Sequence, residues 1–253
     1  MEIHTKTQYN PYFGDLIRPV YIKTLKGRKL SHANNTKLCR ETEVTKKLMW
    51  LMRFLYLGKS KINFYDYGCS AGFEPMTYLI HLYSNHPRLA KKIDKIIAKD
   101  FDPYIIEIAK KGVLFLTKKE IEKANTVSKG NITEFFKFIN PARVHKRLYL
   151  QKPAQVKPKY RDKIQYELAD IMQDCENRES KGSVVSVCNF WPYLGREKAL
   201  ELVEKLSSKL KSRCIIVTGE YDGTTKQEFG VDLKQEFTKR GFICVGGQIF
   251  VRI

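Results

Sequence analysis

Residues 62–74, Ile-Asn-Phe-Tyr-Asp-Tyr-Gly-Cys-Ser-Ala-Gly-Phe-Glu, read as an apolar strand running into a turn of small residues, and that turn is where ligand chemistry is expected. Gly68 and Gly72 bring backbone N–H groups, unshielded by side chains, up to a ligand at the N-terminus of the next helix. The spacing lacks the third glycine of a dinucleotide fingerprint and the Gly-Lys-Ser/Thr ending of a P-loop. Neither a nicotinamide nor a nucleoside triphosphate is the natural ligand. S-adenosylmethionine fits better. A second apolar run, Lys95-Ile-Ile-Ala-Lys-Asp100, ends in an acid, and Asp102-Pro103 supply an N-cap and first residue for a helix that stops at Gly112. A carboxylate at that strand end can accept both ribose hydroxyls of an adenosine. Asp100 follows Asp66 by 34 positions, more than the roughly 20 of a short βαβ unit, and a long helix over 75–90 takes up the difference.

From these residues onward the chain resembles the CheR-type chemotaxis receptor methyltransferases. Gly-Cys-Ser-Ala-Gly-Phe-Glu-Pro at 68–75 is similar to their Ser-Thr-Gly-Glu-Glu-Pro signature, and Ala98-Lys-Asp-Phe-Asp102 to their Ser/Thr-Asp-Ile-Asp. Downstream, Glu107–Gly112, Leu168-Ala-Asp-Ile-Met172 and Val187-Cys-Asn-Phe-Trp-Pro-Tyr193 stand where the family carries further motifs in the same order. The resemblance implies a class I methyltransferase, with S-adenosylmethionine as cofactor. It implies a cofactor set of Asp66, Gly68, Cys69, Ser70, Gly72, Glu74, Asp100, Phe101, Asp170, Ile171, Asn189 and Phe190. Within that set Glu74 would hold the methionine ammonium, Asp100 the ribose, Asp170 the adenine edge and Asn189 the carboxylate or backbone side. Tyr193 would face the transferred methyl, and Arg40 would supply the arginine that the family places near the sulfonium.

Three departures bear on the acceptor. Phe73 replaces the first glutamate of the signature, Cys188 replaces an arginine, and Asp170 replaces an asparagine, which keeps an acceptor but loses an amide donor. The expected reaction is carboxyl O-methylation of an acidic protein side chain. A carboxylate is already nucleophilic at neutral pH and needs no base, in keeping with the absence of histidine from the matched motifs. The alternative is an amide or amine N-methyltransferase, of nucleic acid or protein. Asn189-Phe-Trp-Pro-Tyr193 resembles, with one extra residue, the Asn-Pro-Pro-Tyr motif of enzymes that act on adenine or glutamine. A third reading, prompted by Cys188, is a protein that binds the cofactor without catalysis.

The elements that must position these residues are α/β. Strands are expected at Ile62–Asp66, Lys95–Asp100, near Ile164–Leu168, and at Ser183–Cys188, Cys214–Thr218, Gly241–Val245 and Gln248–Arg252. Seven strands give a Rossmann-like, mostly parallel sheet. Gly246-Gly247 reads as a two-residue hairpin turn that makes the last strand antiparallel. Helices are expected over Thr45–Leu57 and 196–210. Residues 1–60 form an N-terminal helical and irregular attachment, and 61–253 the S-adenosylmethionine-binding domain, with an insertion at about 114–163. Within the insertion, helices are expected near Lys118–Ala124 and Ile132–Ile139. The Lys- and Pro-rich stretch Gln151–Lys159 reads as a mobile loop.

The chain has 46 Lys+Arg against 27 Asp+Glu, a net charge of +19, with much of the excess in residues 1–60 and 110–163. A field of that sign attracts an acidic protein substrate or nucleic acid, and a lysine-rich, AT-biased genome also produces it with no partner behind it. The 6 cysteines contain no Cys-x-x-Cys and are expected as reduced, packed thiols, and the 5 histidines show no ligand spacing, so no metal is expected. With neither a signal peptide nor a membrane-length apolar run, the protein is expected to be cytoplasmic, without membrane insertion. Nothing in the sequence specifies an oligomeric state.

Overall fold

The protein is seen in a computed structural model that describes residues 20–23, 29–32, 37–139, 151–175 and 182–253. The chain divides into two compact units, Met1–Lys37 and Leu38–Ile253. In the first, β1 (Val20–Lys23) and β2 (Lys29–His32) pair antiparallel.

The second unit is built on seven strands: β3 (Asn63–Tyr67), β4 (Ile96–Asp100), β8 (Ile164–Leu168), β9 (Ser183–Val187), β10 (Cys214–Thr218), β11 (Ile243–Val245) and β12 (Ile249–Arg252). Their spatial order is β11-β12-β10-β9-β3-β4-β8. All pairings from β10 to β8 are parallel, and β12 alone runs against its neighbours, so the antiparallel last strand is confirmed. The chain winds outward from β3 through β4 to β8, then returns to β9 on the other side of β3. That reversal opens a crevice at the carboxyl ends of β3 and β9, where open α/β sheets hold their ligands.

Successive strand residues point to opposite faces, and each face has its own core. Phe64, Val184, Ile215 and Val217 join one cluster, with Met76, Leu79 and Ile80 of α2 (Phe73–Asn85) and Leu48, Met49 and Met52 of α1 (Thr42–Leu55). Tyr67, Val185, Val187 and Ile216 join the other, with Leu202, Val203 and Leu206 of α8 (Gly195–Lys209) and Phe237 of α10 (Leu233–Lys239). β3, β9 and β10 contribute to both cores, which is why β9 and β10 read as nearly continuous apolar runs.

Several local expectations are corrected. The helix expected over 75–90 is two: α2 ends at Asn85, and Pro87 opens α3 (Pro87–Ala90) after His86 leaves helical geometry at φ −136°. Proline supplies no N–H and crowds the residue before it, so the first helix cannot run through. The pairing of Val245 with Ile249 leaves three residues, 246–248, in the final turn in place of two. Gly246 and Gly247 both take positive φ there.

The insertion differs most. After α4 (Pro103–Lys111) come β5 (Val113–Thr117), α5 (Lys118–Val127), a 3-10 turn (Ile132–Glu134), β6 (Phe136–Phe138), β7 (Gln151–Val156) and α6 (Pro158–Arg161). The helix expected near Ile132–Ile139 is thus a 3-10 turn followed by a strand. The stretch expected as a mobile loop contains β7, the central strand of a three-stranded antiparallel sheet ordered β5-β7-β6. Ala154 and Val156 face its core, an alternation that the surrounding lysines and prolines masked.

All six cysteines are free thiols. Among the described residues, no helix is long and apolar enough to cross a membrane.

Candidate functional site

The turn after β3 is wound from left-handed residues. Gly68, Ser70 and Gly72 have φ of 72°, 49° and 92°. A Cβ on Gly72 would overlap the Tyr166 hydroxyl, so glycine is required there by both conformation and space. Gly68 and Cys69 donate their N–H groups to the Lys99 carbonyl at 2.8 and 3.1 Å. Ser70 donates to Asp100 Oδ2 at 3.0 Å, and Asp102 N–H donates to Asp100 Oδ1 at 3.1 Å. The strand-end acid therefore fixes the cradle as well as facing it. Burial raises its pKa above the ordinary aspartate range. Phe101 beside it is exposed, and Phe190 lies against Gly68.

Behind the cradle lies a buried carboxylate cluster. Asp66 is fully buried beside Glu74 and Ser186, and neither of its oxygens makes a hydrogen bond of good geometry among the described residues. Burial, reinforced by the neighbouring Glu74 carboxylate, pushes its pKa well up. Glu74 Oε1 accepts from Ser186 Oγ at 2.6 Å and from the Tyr78 hydroxyl at 3.0 Å.

Arg40 reaches this cluster from the turn before α1. Cys39, at φ 53°, turns the backbone, and its N–H is held by Thr77 Oγ1 of α2 at 2.9 Å. Arg40 Nη2 then stands 4.0 Å from Glu74 Oε2, and Nε 3.5 Å from Glu41 Oε1. Its Nη1 is buried without a partner among the described residues.

The end of β9 completes the site. Asn189 takes φ 62°, and its N–H, with those of Trp191 and Gly219, donates to the Asp222 carboxylate at 2.7, 3.2 and 2.6 Å. Burial outweighs these three donors and lifts the Asp222 pKa to about 7. The Asn189 amide does not point free into the crevice. Nδ2 donates to Glu41 Oε1 at 2.9 Å, and Oδ1 accepts from Tyr221 N–H at 3.3 Å. Glu41 Oε1 also accepts from Glu220 N–H at 3.0 Å, and burial raises its pKa.

The structure thus brings Arg40, Asp66, Gly68, Cys69, Ser70, Gly72, Glu74, Asp100, Asn189 and Phe190 to one end of the sheet. Asp170 and Ile171 belong to the next strand end: Ala169 N–H donates to the Asp100 carbonyl at 3.0 Å. The Asp170 carboxylate caps α7 (Ile171–Asp174) by accepting from Met172 N–H at 2.9 Å, while Ile171 is buried in the core. Tyr193 ends a 3-10 turn, Trp191–Tyr193, and is 52% exposed.

Residues absent from the sequence expectation also build the site: Glu41, Tyr78, Tyr166, Ser186 and Asp222. Two left a signal. Tyr78 lies one helical turn after Glu74, and Ser186 is a polar interruption in an apolar strand.

A glycine-built cradle and buried acids at the switch point of a doubly wound sheet define a class I methyltransferase site. The residues fit S-adenosylmethionine, because an excess of buried, partly unpartnered carboxylates calls for a ligand carrying ammonium and sulfonium charge. Over residues 34–235 the chain matches the family described as CheR methyltransferase, SAM binding domain, and it belongs to that family. It is an S-adenosylmethionine-dependent methyltransferase.

Among solved structures it is similar to a TehB-like SAM-dependent methyltransferase from Corynebacterium glutamicum, at 12% identity and TM-score 0.39, covering 81% of this chain and 86% of that one. It is also similar to the N-methyltransferase NodS from Bradyrhizobium japonicum in complex with S-adenosyl-L-homocysteine (15% identity, TM-score 0.38, 82% and 79% covered). A third is magnesium protoporphyrin IX methyltransferase from Synechocystis with bound SAM (14%, TM-score 0.40, 84% and 79%). No curated protein matches the chain.

Proposed function

We propose that this enzyme methylates a side-chain carboxylate of an acidic protein. The observation that carries the reading is Arg40, a half-buried guanidinium at the edge of the carboxylate cluster whose buried Nη1 has no partner among the described residues. A guanidinium presents a planar fork that matches a carboxylate. It would orient the acceptor, and the +19 charge would draw an acidic protein toward the crevice. The engagement of both Asn189 amide atoms supports this reading over an amine acceptor, which would need those atoms for its own hydrogens.

S-adenosylmethionine supplies an electrophilic methyl group on a positively charged sulfur. The chain supplies position and desolvation. Asp66 and Glu74 would hold the ammonium and Asp100 the ribose. Asp170, Phe101 and Ile171 would flank the adenine, and the backbone of Gly68, Cys69, Ser70 and Gly72 would close on the methionine portion, with Asn189 and Phe190 bordering it. Tyr193 would line the methyl path. No proton leaves the acceptor, so no base is required.

The test is the chemistry of the product. Acidic polypeptides incubated with enzyme and methyl-labelled S-adenosylmethionine should gain label that alkali releases as volatile methanol. Label that survives alkali would mark an N-methyl product and overturn the carboxylate reading.

A further inference from the structure

At the opposite end of the sheet from the cradle, the loops that enter β3, β4 and β8 form an open pocket of about 630 Å³. Its volume falls within the roughly 300–1,000 Å³ of small-molecule sites. Lys61, Lys91, Lys92 and Lys163 line it against a single acid, Asp94. The floor is fixed by backbone bonds between the loops: Ile62 N–H donates to the Lys92 carbonyl at 2.8 Å, and Ile96 N–H to the Lys163 carbonyl at 2.9 Å. Tyr83 forms one wall and is itself held edge-on by Tyr160, with ring centroids 5.2 Å apart.

Two of the lysines serve the fold. Lys92 Nζ donates to the Tyr56 carbonyl at 3.1 Å and Lys163 Nζ to the Asp94 carbonyl at 3.4 Å. The Lys61 and Lys91 ammonium groups make no ion pair or hydrogen bond among the described residues. Four lysines around one pocket with a single acid leave a local excess of positive charge, which attracts an anion. No arginine is among the lining residues, so the cavity offers point charges and no planar fork. That chemistry suits the compact, multiply charged oxygens of phosphate better than a lone carboxylate.

We propose that this cavity is a binding site for a phosphate-bearing polyanion, separate from the methyl-transfer crevice by the length of a five-residue strand, about 15 Å. The phosphates belong either to a small phosphorylated molecule or to a nucleic-acid backbone.

The test measures binding of inorganic tripolyphosphate and of a short oligothymidylate at low salt, with S-adenosylhomocysteine saturating the cradle. The double variant Lys61→Glu/Lys91→Glu should lose about tenfold or more in affinity for whichever probe binds, with a shallower salt dependence. The control Lys198→Glu/Lys234→Glu, exposed positions on α8 and α10, should bind nearly as wild type. Unchanged S-adenosylhomocysteine affinity in both variants shows that the fold is intact. Tripolyphosphate binding alone supports a small phosphorylated ligand, and binding of the oligonucleotide as well supports a backbone. Failure of both probes to bind, equal losses in the two variants, or equally tight binding of a glutamate peptide would overturn the site.

Discussion

Asn189 Nδ2 donates to Glu41 Oε1 at 2.9 Å, joining residues 148 positions apart. The bond ties the turn before α1 to the end of β9. It places the Arg40-Glu41 pair over the crevice and removes the Asn189 amide from the set of free donors. Glu41 thereby links the turn before α1 to the segments that follow β9 and β10.

Glu41→Ala should lower stability by about 1–3 kcal/mol, because it leaves the Asn189 amide and the Glu220 N–H without their acceptor. Glu41→Gln keeps an acceptor and should recover much of the loss. Denaturant melts of the two variants check this, and equal stability of Glu41→Ala and wild type would remove Glu41 from that role.

Asp100→Ala should weaken S-adenosylhomocysteine binding by about 1.5–3 kcal/mol, the scale for hydrogen bonds to a charged group. The loss combines the ribose contact proposed above with loosening of the cradle, since Ser70 N–H is held by the same carboxylate. Calorimetry giving wild-type affinity would take Asp100 out of the site.

Cofactor binding should be linked to proton release. Asp66 has its pKa raised well above the ordinary value by burial, so its neutral form persists into pH values where an exposed aspartate is ionised. For the free protein, the stability from this group is full below the ordinary aspartate pKa near ~4 and is lost as pH rises through the raised value. A ligand ammonium favours the ionised carboxylate, so affinity should increase with pH across the same window, up to the α-amino range near ~8. Titrations in two buffers of different ionisation heat measure the released proton. Asp66→Asn should reduce the linkage, the remainder belonging to Asp100, Glu41 and Asp222, whose pKa values burial also raises, and a pH-independent affinity in the wild type would refute it.

Gly72→Ala should cost at least about 2 kcal/mol, because a side-chain carbon is strained at φ 92° and also meets the Tyr166 hydroxyl. Tyr166→Phe in the same chain should recover part of the loss. A Gly72→Ala protein with unchanged melting and cofactor affinity would show that the turn can relax.

The sequence by itself determined the seven strands, the glycine cradle and the strand-end acid. Each is a local pattern: an apolar run, two glycines where left-handed backbone is needed, a carboxylate where a strand stops. Order along the chain also carried the resemblance to the family, because motif succession survives when individual residues change.

Only the tertiary structure decided which side chains meet. Asp66 reads from sequence as one more strand-end acid, and its burial beside Glu74 of α2 and Ser186 of β9 appears only in the folded chain. Glu41, Asp222 and Tyr166 enter the site through contacts spanning tens of residues or more, for which local spacing carries no signal. The insertion makes the same point in the backbone. β7 is a strand because β5 and β6 satisfy its hydrogen bonds from both sides, and its own lysines and prolines argue otherwise until those partners are in place.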